Sequence, residues 1–151
     1  MAEHVLERCQ IVPTSLTQTF EFFANPANLE AITPPWLRFR ILEAPDRLRR
    51  GSRLRYRLHL FRIPIGWTTE ITAWHPPNSF IDTQLRGPYR VWIHEHRMED
   101  VGAGTRVRDR VRYRVPLGPA GWLVNRVVVR RWLDEIFDYR ARRLAELLTP
   151  G

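Results

Sequence analysis

Five arginines stand at alternate positions, Arg106, Arg108, Arg110, Arg112 and Arg114, and between them lie Val107, Asp109, Val111 and Tyr113. Successive side chains of a strand point to opposite faces, so this segment has one guanidinium face and one face of Val, Asp, Val and Tyr. Five charges in a row belong in water, which turns Asp109 inward. A buried carboxylate is costly without partners. The preceding segment offers them, because Trp92, His94, His96 and Met98 also share one strand face. Only the turn Val101-Gly102-Ala103-Gly104 separates the two segments, so they pair as a hairpin with Asp109 and the imidazoles on one side. A sheet whose interior holds Asp, His and Trp is expected to line a pocket.

The same period recurs along the chain. Glu3 to Val12 reads as a first strand, and Pro13 ends it. Ser15 or Thr17 caps a short helix carrying Phe20, Phe22 and Phe23, which Asn25-Pro26 stops; Ala27 to Ile32 forms a second. Leu37 to Ala44 is the second strand. Ser52 to Leu60 is the third, with Leu54, Tyr56, Leu58 and Leu60 inside and Arg53, Arg55 and Arg57 outside. Pro64-Ile65-Gly66 reads as a connecting turn, Ile65 to Trp74 as the fourth strand and Phe80 to Leu85 as the fifth. After Pro116 the period becomes helical: Val129, Trp132, Leu133, Ile136, Phe137, Leu144 and Leu147 mark a C-terminal helix of about seven turns. Short connections make the sheet antiparallel. The expected fold is α+β: seven antiparallel strands in a twisted, curved sheet, a long C-terminal helix in its concavity and two short helices after strand one. Any gap between helix and sheet is a cavity. A length of 151 residues fits one domain, residues 1–151.

The net charge of +8 is carried entirely by arginine, 24 in all, with no lysine. These arginines are spread over the chain and many alternate along strands, so nucleic-acid binding is not expected. Attraction to an anionic membrane surface stays open. Trp122, Arg126, Arg130 and Arg131, at the start of the long helix, would serve a peripheral membrane or partner-docking module. No apolar run reaches the ~20 residues of a membrane helix. Met1 to Val12 lacks a signal peptide's apolar stretch, so a cytoplasmic protein is expected, as monomer or homodimer. The lone Cys9 excludes an internal disulfide and is expected to be buried or half-buried.

The order of elements and several local patterns resemble the START-like, or helix-grip, superfamily, and within it the bacterial SRPBCC polyketide cyclase/dehydrase-like ligand-binding proteins. The matching residues are Asn28-Leu29, Thr33-Pro34-Pro35, Ile63-Pro64-Ile65-Gly66-Trp67, Phe80-x-Asp82-x-Gln84-x-x-Gly87-Pro88-Tyr89 and Trp92-x-His94-x-His96. Gly104-Thr105, Asp109-x-Val111-x-Tyr113-x-x-Pro116 and Ile136-Phe137-Asp138-Tyr139-Arg140 complete them. The resemblance spans essentially the whole chain. It implies the helix-grip fold, a cavity between the C-terminal helix, the sheet and the short helices, and a small polyketide-, isoprenoid- or lipid-like ligand. It leaves the cargo open, because one fold hosts many ligands.

Tyr56, Trp67, Asp82, Gln84, Trp92, His94, His96, Asp109, Tyr113, Ile136 and Tyr139 are therefore the candidate ligand-binding residues. Phe80 is a further candidate wall residue. The facing of Asp82 and Gln84 is left open, because no arginine row marks the outside of their strand. Arg140 either approaches the cavity beside Tyr139 or pairs with Asp138 or Glu135 on the surface. His94, His96 and Asp109, with Tyr113, are also the parts for acid–base catalysis, since an imidazole oriented by a carboxylate moves protons near neutral pH. In cyclase and dehydrase members of the superfamily such groups assist aldol closure and loss of water. Two imidazoles at i, i+2 with Asp109 or Asp82 also have the chemistry of metal ligands, but the sequence fixes no full set. A hydrogen-bonded polar cluster is the expectation, without metal or cofactor, and binding is expected ahead of catalysis. No phosphate loop, dinucleotide fingerprint or nucleophile elbow is present.

Overall fold

The computed structural model describes residues 3–150. Its seven strands are β1 (His4–Val12), β2 (Arg40–Glu43), β3 (Arg53–Leu60), β4 (Ile63–His75), β5 (Ser79–Arg86), β6 (Val91–Asp100) and β7 (Thr105–Arg114). They form one antiparallel sheet in the order β1-β7-β6-β5-β4-β3-β2. Helices α1 (Leu16–Ala24) and α2 (Ala27–Ala31) follow β1, and a 3-10 turn covers Pro35–Leu37. The C-terminal helix opens with a 3-10 turn at Gly118–Ala120. It continues through α3 (Gly121–Val124) and a π turn (Asn125–Val129) into α4 (Arg130–Leu147). This is the expected helix-grip arrangement. No described helix is long and apolar enough to cross a membrane.

The strand faces follow the arginine pattern. Val107, Asp109, Val111 and Tyr113 are buried with Trp92, His94, His96 and Met98, while Arg108, Arg110 and Arg112 are exposed. Ser15 caps α1 through a reciprocal pair with Gln18. Gly104 is required by a close approach, since a Cβ there would lie 2.1 Å from the Val12 carbonyl oxygen where β7 starts beside the end of β1.

Several local expectations are corrected. The β3–β4 turn is Phe61-Arg62, both at positive φ (50° and 68°) as a tight two-residue hairpin demands, so Pro64-Ile65-Gly66 lies within β4. Strand β2 is shorter than Leu37 to Ala44, because Leu37 is buried in the preceding 3-10 turn. Cys9 is exposed: alternation along β1 turns Leu6, Arg8, Gln10 and Val12 toward the helix side and Cys9 away. The C-terminal helix is not uniform. Gly121 packs so tightly that a Cβ would lie 3.2 Å from the carbonyl oxygens of Val115 and Pro116, and Asn125 accepts the buried Tyr113 hydroxyl at 2.7 Å. The wider π turn then re-phases the helix before α4.

Polar contacts tie α4 to the β1 edge of the sheet. Arg8 reaches Asp134 at 2.9 Å and Asp138 at 2.6 Å, and the Gln10 side-chain amide donates to the Ala141 carbonyl at 2.7 Å. The helix is thus clamped over one edge, and the space toward β3, β4 and β5 is left for a cavity.

Candidate functional site

Strand register builds the polar floor. Asp82 of β5 stands opposite His94 of β6, and His96 stands opposite Asp109 of β7, so four ionisable side chains from three strands meet on the inner face. His94 Nε2 lies 2.8 Å from Asp109 Oδ1, and His96 Nε2 lies 2.7 Å from Asp82 Oδ2. The two imidazoles stack with centroids 3.7 Å apart, and Phe80 stacks on His96 at 4.1 Å. Arg140 closes the cluster from α4. Its guanidinium donates to Asp109 at 3.0 Å and lies over the rings of Phe23 and Phe137, at 5.3 and 5.8 Å.

Burial sets the protonation of this floor. Desolvation, reinforced by His94 alongside, pulls His96 down to about 4, so the ring is neutral at neutral pH. Burial pushes the Asp109 carboxyl up, but Arg140 and the hydrogen bond to His94 outweigh it and hold the group well below the usual carboxylate range. Asp82 shows the same balance: burial raises it, and the His96 hydrogen bond with its positive neighbours lowers it further. Both acids are acceptors at neutral pH.

Above the floor lies a cavity of about 180 Å³, bounded by β3 to β6, α1, α2 and α4. Its walls include Tyr56, Trp67, Phe80, Tyr89, Trp92, Phe23, Leu133 and Phe137. Trp67 is the hub of the aromatic wall, stacked on Tyr56 at 5.7 Å and edge-on to Trp92 at 5.2 Å. Its Nε1 is buried and has no hydrogen-bond partner among the described residues. A buried indole N–H without an acceptor is uncommon, because it forfeits its hydration.

Of the candidate residues, Tyr56, Trp67, Asp82, Trp92, His94, His96 and Ile136 line this cavity, as does Phe80. Asp82 points inward beside Phe80, which settles its facing. Four candidates sit elsewhere. Asp109 lies behind His94, and Tyr113 is fully buried with its hydroxyl on Asn125. Gln84 folds onto the next turn, donating to the Tyr89 carbonyl at 2.7 Å and accepting from its N–H at 3.3 Å. Tyr139 packs edge-on against Trp36. Arg140 is the residue that the surface alternative misplaces. It is only 7% exposed and pairs with Asp109, not with Asp138 or Glu135. Its signal is positional, since Leu133, Phe137, Arg140 and Leu144 occupy one buried stripe of α4.

The model of the family described as "Polyketide cyclase / dehydrase and lipid transport" matches residues 3–149. The chain belongs to that family. Solved structures similar to this family member include protein Ms6760 from Mycobacterium smegmatis, 20% identical over 95% of this chain and 90% of that one, TM-score 0.71. Protein CV1439 from Chromobacterium violaceum is 12% identical over 98% and 99%, TM-score 0.75. Ginseng major latex-like protein 151 from Panax ginseng is 14% identical over 98% and 99%, TM-score 0.73. At these identities the likeness is one of fold. Among curated proteins none matches the chain.

Asp109 lies outside the cavity lining, held by His94 and Arg140. Asp82, His94 and His96 line the cavity together with Trp67, so a bound molecule meets a carboxylate acceptor, imidazole nitrogens and a wall residue whose N–H has no partner among the described residues.

Proposed function

We propose that this protein binds a small hydrophobic or amphipathic molecule, polyketide-, isoprenoid- or lipid-like, in the cavity between sheet and C-terminal helix. The observation that carries the reading is the unpartnered Trp67 Nε1 in a largely aromatic and aliphatic cavity wall that also carries Asp82. A ligand with an apolar body and an oxygen acceptor satisfies that donor, while a ligand hydroxyl finds Asp82. The volume is small beside the ~300–1,000 Å³ of drug-sized pockets, which fits a compact ligand or one end of a longer one. Binding is favoured over acid–base turnover, because an imidazole held near 4 is a weak base at neutral pH. Exposed, unpaired Cys9 fits a reducing compartment, the cytoplasm. Native mass spectrometry after gentle purification tests the reading. A co-purifying small molecule, released on denaturation, is expected; protein at the chain mass alone, taking up nothing from an apolar cell extract, overturns it.

A second reading, docking on an anionic membrane surface, is favoured by exposed apolar side chains at the β3–β4 turn and at the start of the C-terminal helix. Phe61 is 77% exposed at the β3–β4 turn and stacks on Trp132, which lines the cavity. Leu117, Trp122, Leu123 and Val127 are also exposed, beside Arg126 and Arg131. No acidic residue occurs between Asp109 and Asp134. Apolar residues framed by cations suit an anionic interface. Flotation with vesicles containing phosphatidylglycerol, lost with neutral vesicles and with Phe61→Ser, is expected; recovery in the lipid-free fractions throughout refutes docking.

A further inference from the structure

Three donor atoms of the cavity floor converge. Asp82, His94 and His96 each offer one ligand atom, and these atoms lie within 4.8 Å of one another. Asp82 Oδ2 is 2.7 Å from His96 Nε2 and 3.8 Å from His94 Nδ1. Ligand atoms at about 2.0–2.2 Å from one first-row divalent cation lie roughly 3–3.5 Å apart. The two edges at Asp82 bracket that spacing.

Asp109 sets the tautomer that ligation needs. Its carboxylate accepts from Arg140 Nη2 at 3.0 Å and pairs with His94 Nε2 at 2.8 Å. A carboxylate salt-bridged to a guanidinium can only accept, so the His94 proton sits on Nε2. In the neutral ring Nδ1 then presents its lone pair toward Asp82, and at 3.8 Å no hydrogen bond joins them. Two acceptors facing each other across that gap are held apart by repulsion, which a cation between them reverses. For His96, ligation through Nε2 displaces the proton now shared with Asp82. Nδ1 then takes the proton, so Arg140 Nη2, 3.4 Å away, gives up its contact there and keeps Asp109, whose Oδ1 lies 3.5 Å from Nδ1. An outer carboxylate that orients a ligating imidazole in this way is the usual companion of a histidine metal site. The floor sets two carboxylates against the single guanidinium of Arg140, leaving surplus negative charge for a cation.

We propose that Asp82, His94 and His96 form a mononuclear site for a first-row divalent cation such as zinc, with Asp109 as its positioning carboxylate. Two imidazoles and one carboxylate suit zinc, iron or cobalt better than calcium or magnesium. All three ligands line the cavity and Asp109 does not, so the remaining coordination positions open where a small molecule would sit. They take water or an oxygen atom of the ligand; that last step rests on the cavity reading, and the ion site itself does not.

Chelator-stripped protein titrated with Co²⁺, followed by visible absorption, tests the site. One ion per chain is expected, with the band lost in Asp82→Asn and His96→Gln and affinity weakened by about 10- to 100-fold in Asp109→Asn. His4, His59 and His75 lie outside the cluster, so replacing all three with Gln leaves the band in place. No uptake by the stripped protein, or equal uptake by folded Asp82→Asn and His96→Gln, overturns the proposal. Should those variants not fold, NMR of the wild type decides: Zn²⁺ must shift the His94 and His96 ring signals, and shifts confined to other histidines also overturn it. Naphthol binding, measured alongside, separates the two ideas. Naphthol uptake without metal uptake sinks the ion site alone, and metal uptake without naphthol uptake sinks the cavity reading alone.

Discussion

Replacing Arg140 with Met leaves the Asp109 carboxylate buried beside His94 without its guanidinium, while an apolar stem still fills the space between Phe23 and Phe137. The Arg140–Asp109 contact is 3.0 Å with both side chains almost fully buried. At an effective dielectric of ~20 a charge pair at that distance is worth about 5.5 kcal/mol. Removing one member of a buried pair typically costs about 3–5 kcal/mol, because the other charge stays desolvated. Against a total stability of about 5–15 kcal/mol for a domain, Arg140→Met is expected to lower the urea midpoint sharply, by about 3–5 kcal/mol after linear extrapolation. Asp109→Asn strands the guanidinium in turn and is expected to cost a similar amount. The double variant Asp109→Asn/Arg140→Met leaves neither charge unpaired. Its loss should fall about 3 kcal/mol short of the sum of the single losses. An Arg140→Met protein within about 1 kcal/mol of wild type, or a cycle that is additive, refutes the buried pair as the element tying α4 to the floor.

Burial holds His96 neutral down to about 4, whereas the unfolded chain regains a value near 6.5. The unfolded state therefore binds the extra proton between those pH values, and stability falls as pH drops through the window. The expected loss is about 3 kcal/mol, read by urea unfolding of chelator-treated protein; a flat profile there contradicts the neutral, buried ring. Trp67→Phe removes an N–H that has no partner among the described residues, so stability should change by less than about 1.5 kcal/mol. Affinity for an oxygen-bearing ligand, followed by calorimetry, should weaken by roughly 2- to 12-fold. Gly104→Ala forces a Cβ into the Val12 carbonyl and is expected to destabilise by about 2–4 kcal/mol; a thermal midpoint equal to wild type rules out that close approach.

The arginine rows made the fold and half of the site legible. Wherever guanidinium groups alternate, as on β3 and β7, the opposite face had to be interior, and Tyr56, Asp109 and Tyr113 fall there. Strand β5 carries no such row and mixes polar and apolar residues on both faces, so the facing of Asp82 needed the register with His94 and His96. Arg140 sits among Asp138, Arg142 and Arg143, and local composition gives it no distinction. Only the three-dimensional approach of α4 to β7 pairs it with Asp109, 31 residues away. Gln84 was obscured for a different reason: its amide satisfies the backbone of the turn after its own strand, a local role that alternation does not reveal. The π turn begins at Asn125, which accepts from the Tyr113 hydroxyl, a tertiary contact that helical periodicity does not reveal.

Equilibrium titration with naphthol, a compact amphipathic fluorophore, tests the central claim most directly. Ile136 is half-buried on α4 and lines the cavity, so Ile136→Trp fills it from the helix side with little disturbance of the sheet. One saturable site per chain in the wild type, abolished in a folded Ile136→Trp variant, is the predicted result. Absence of saturable binding, or binding that Ile136→Trp leaves unchanged, would contradict a ligand cavity between helix and sheet.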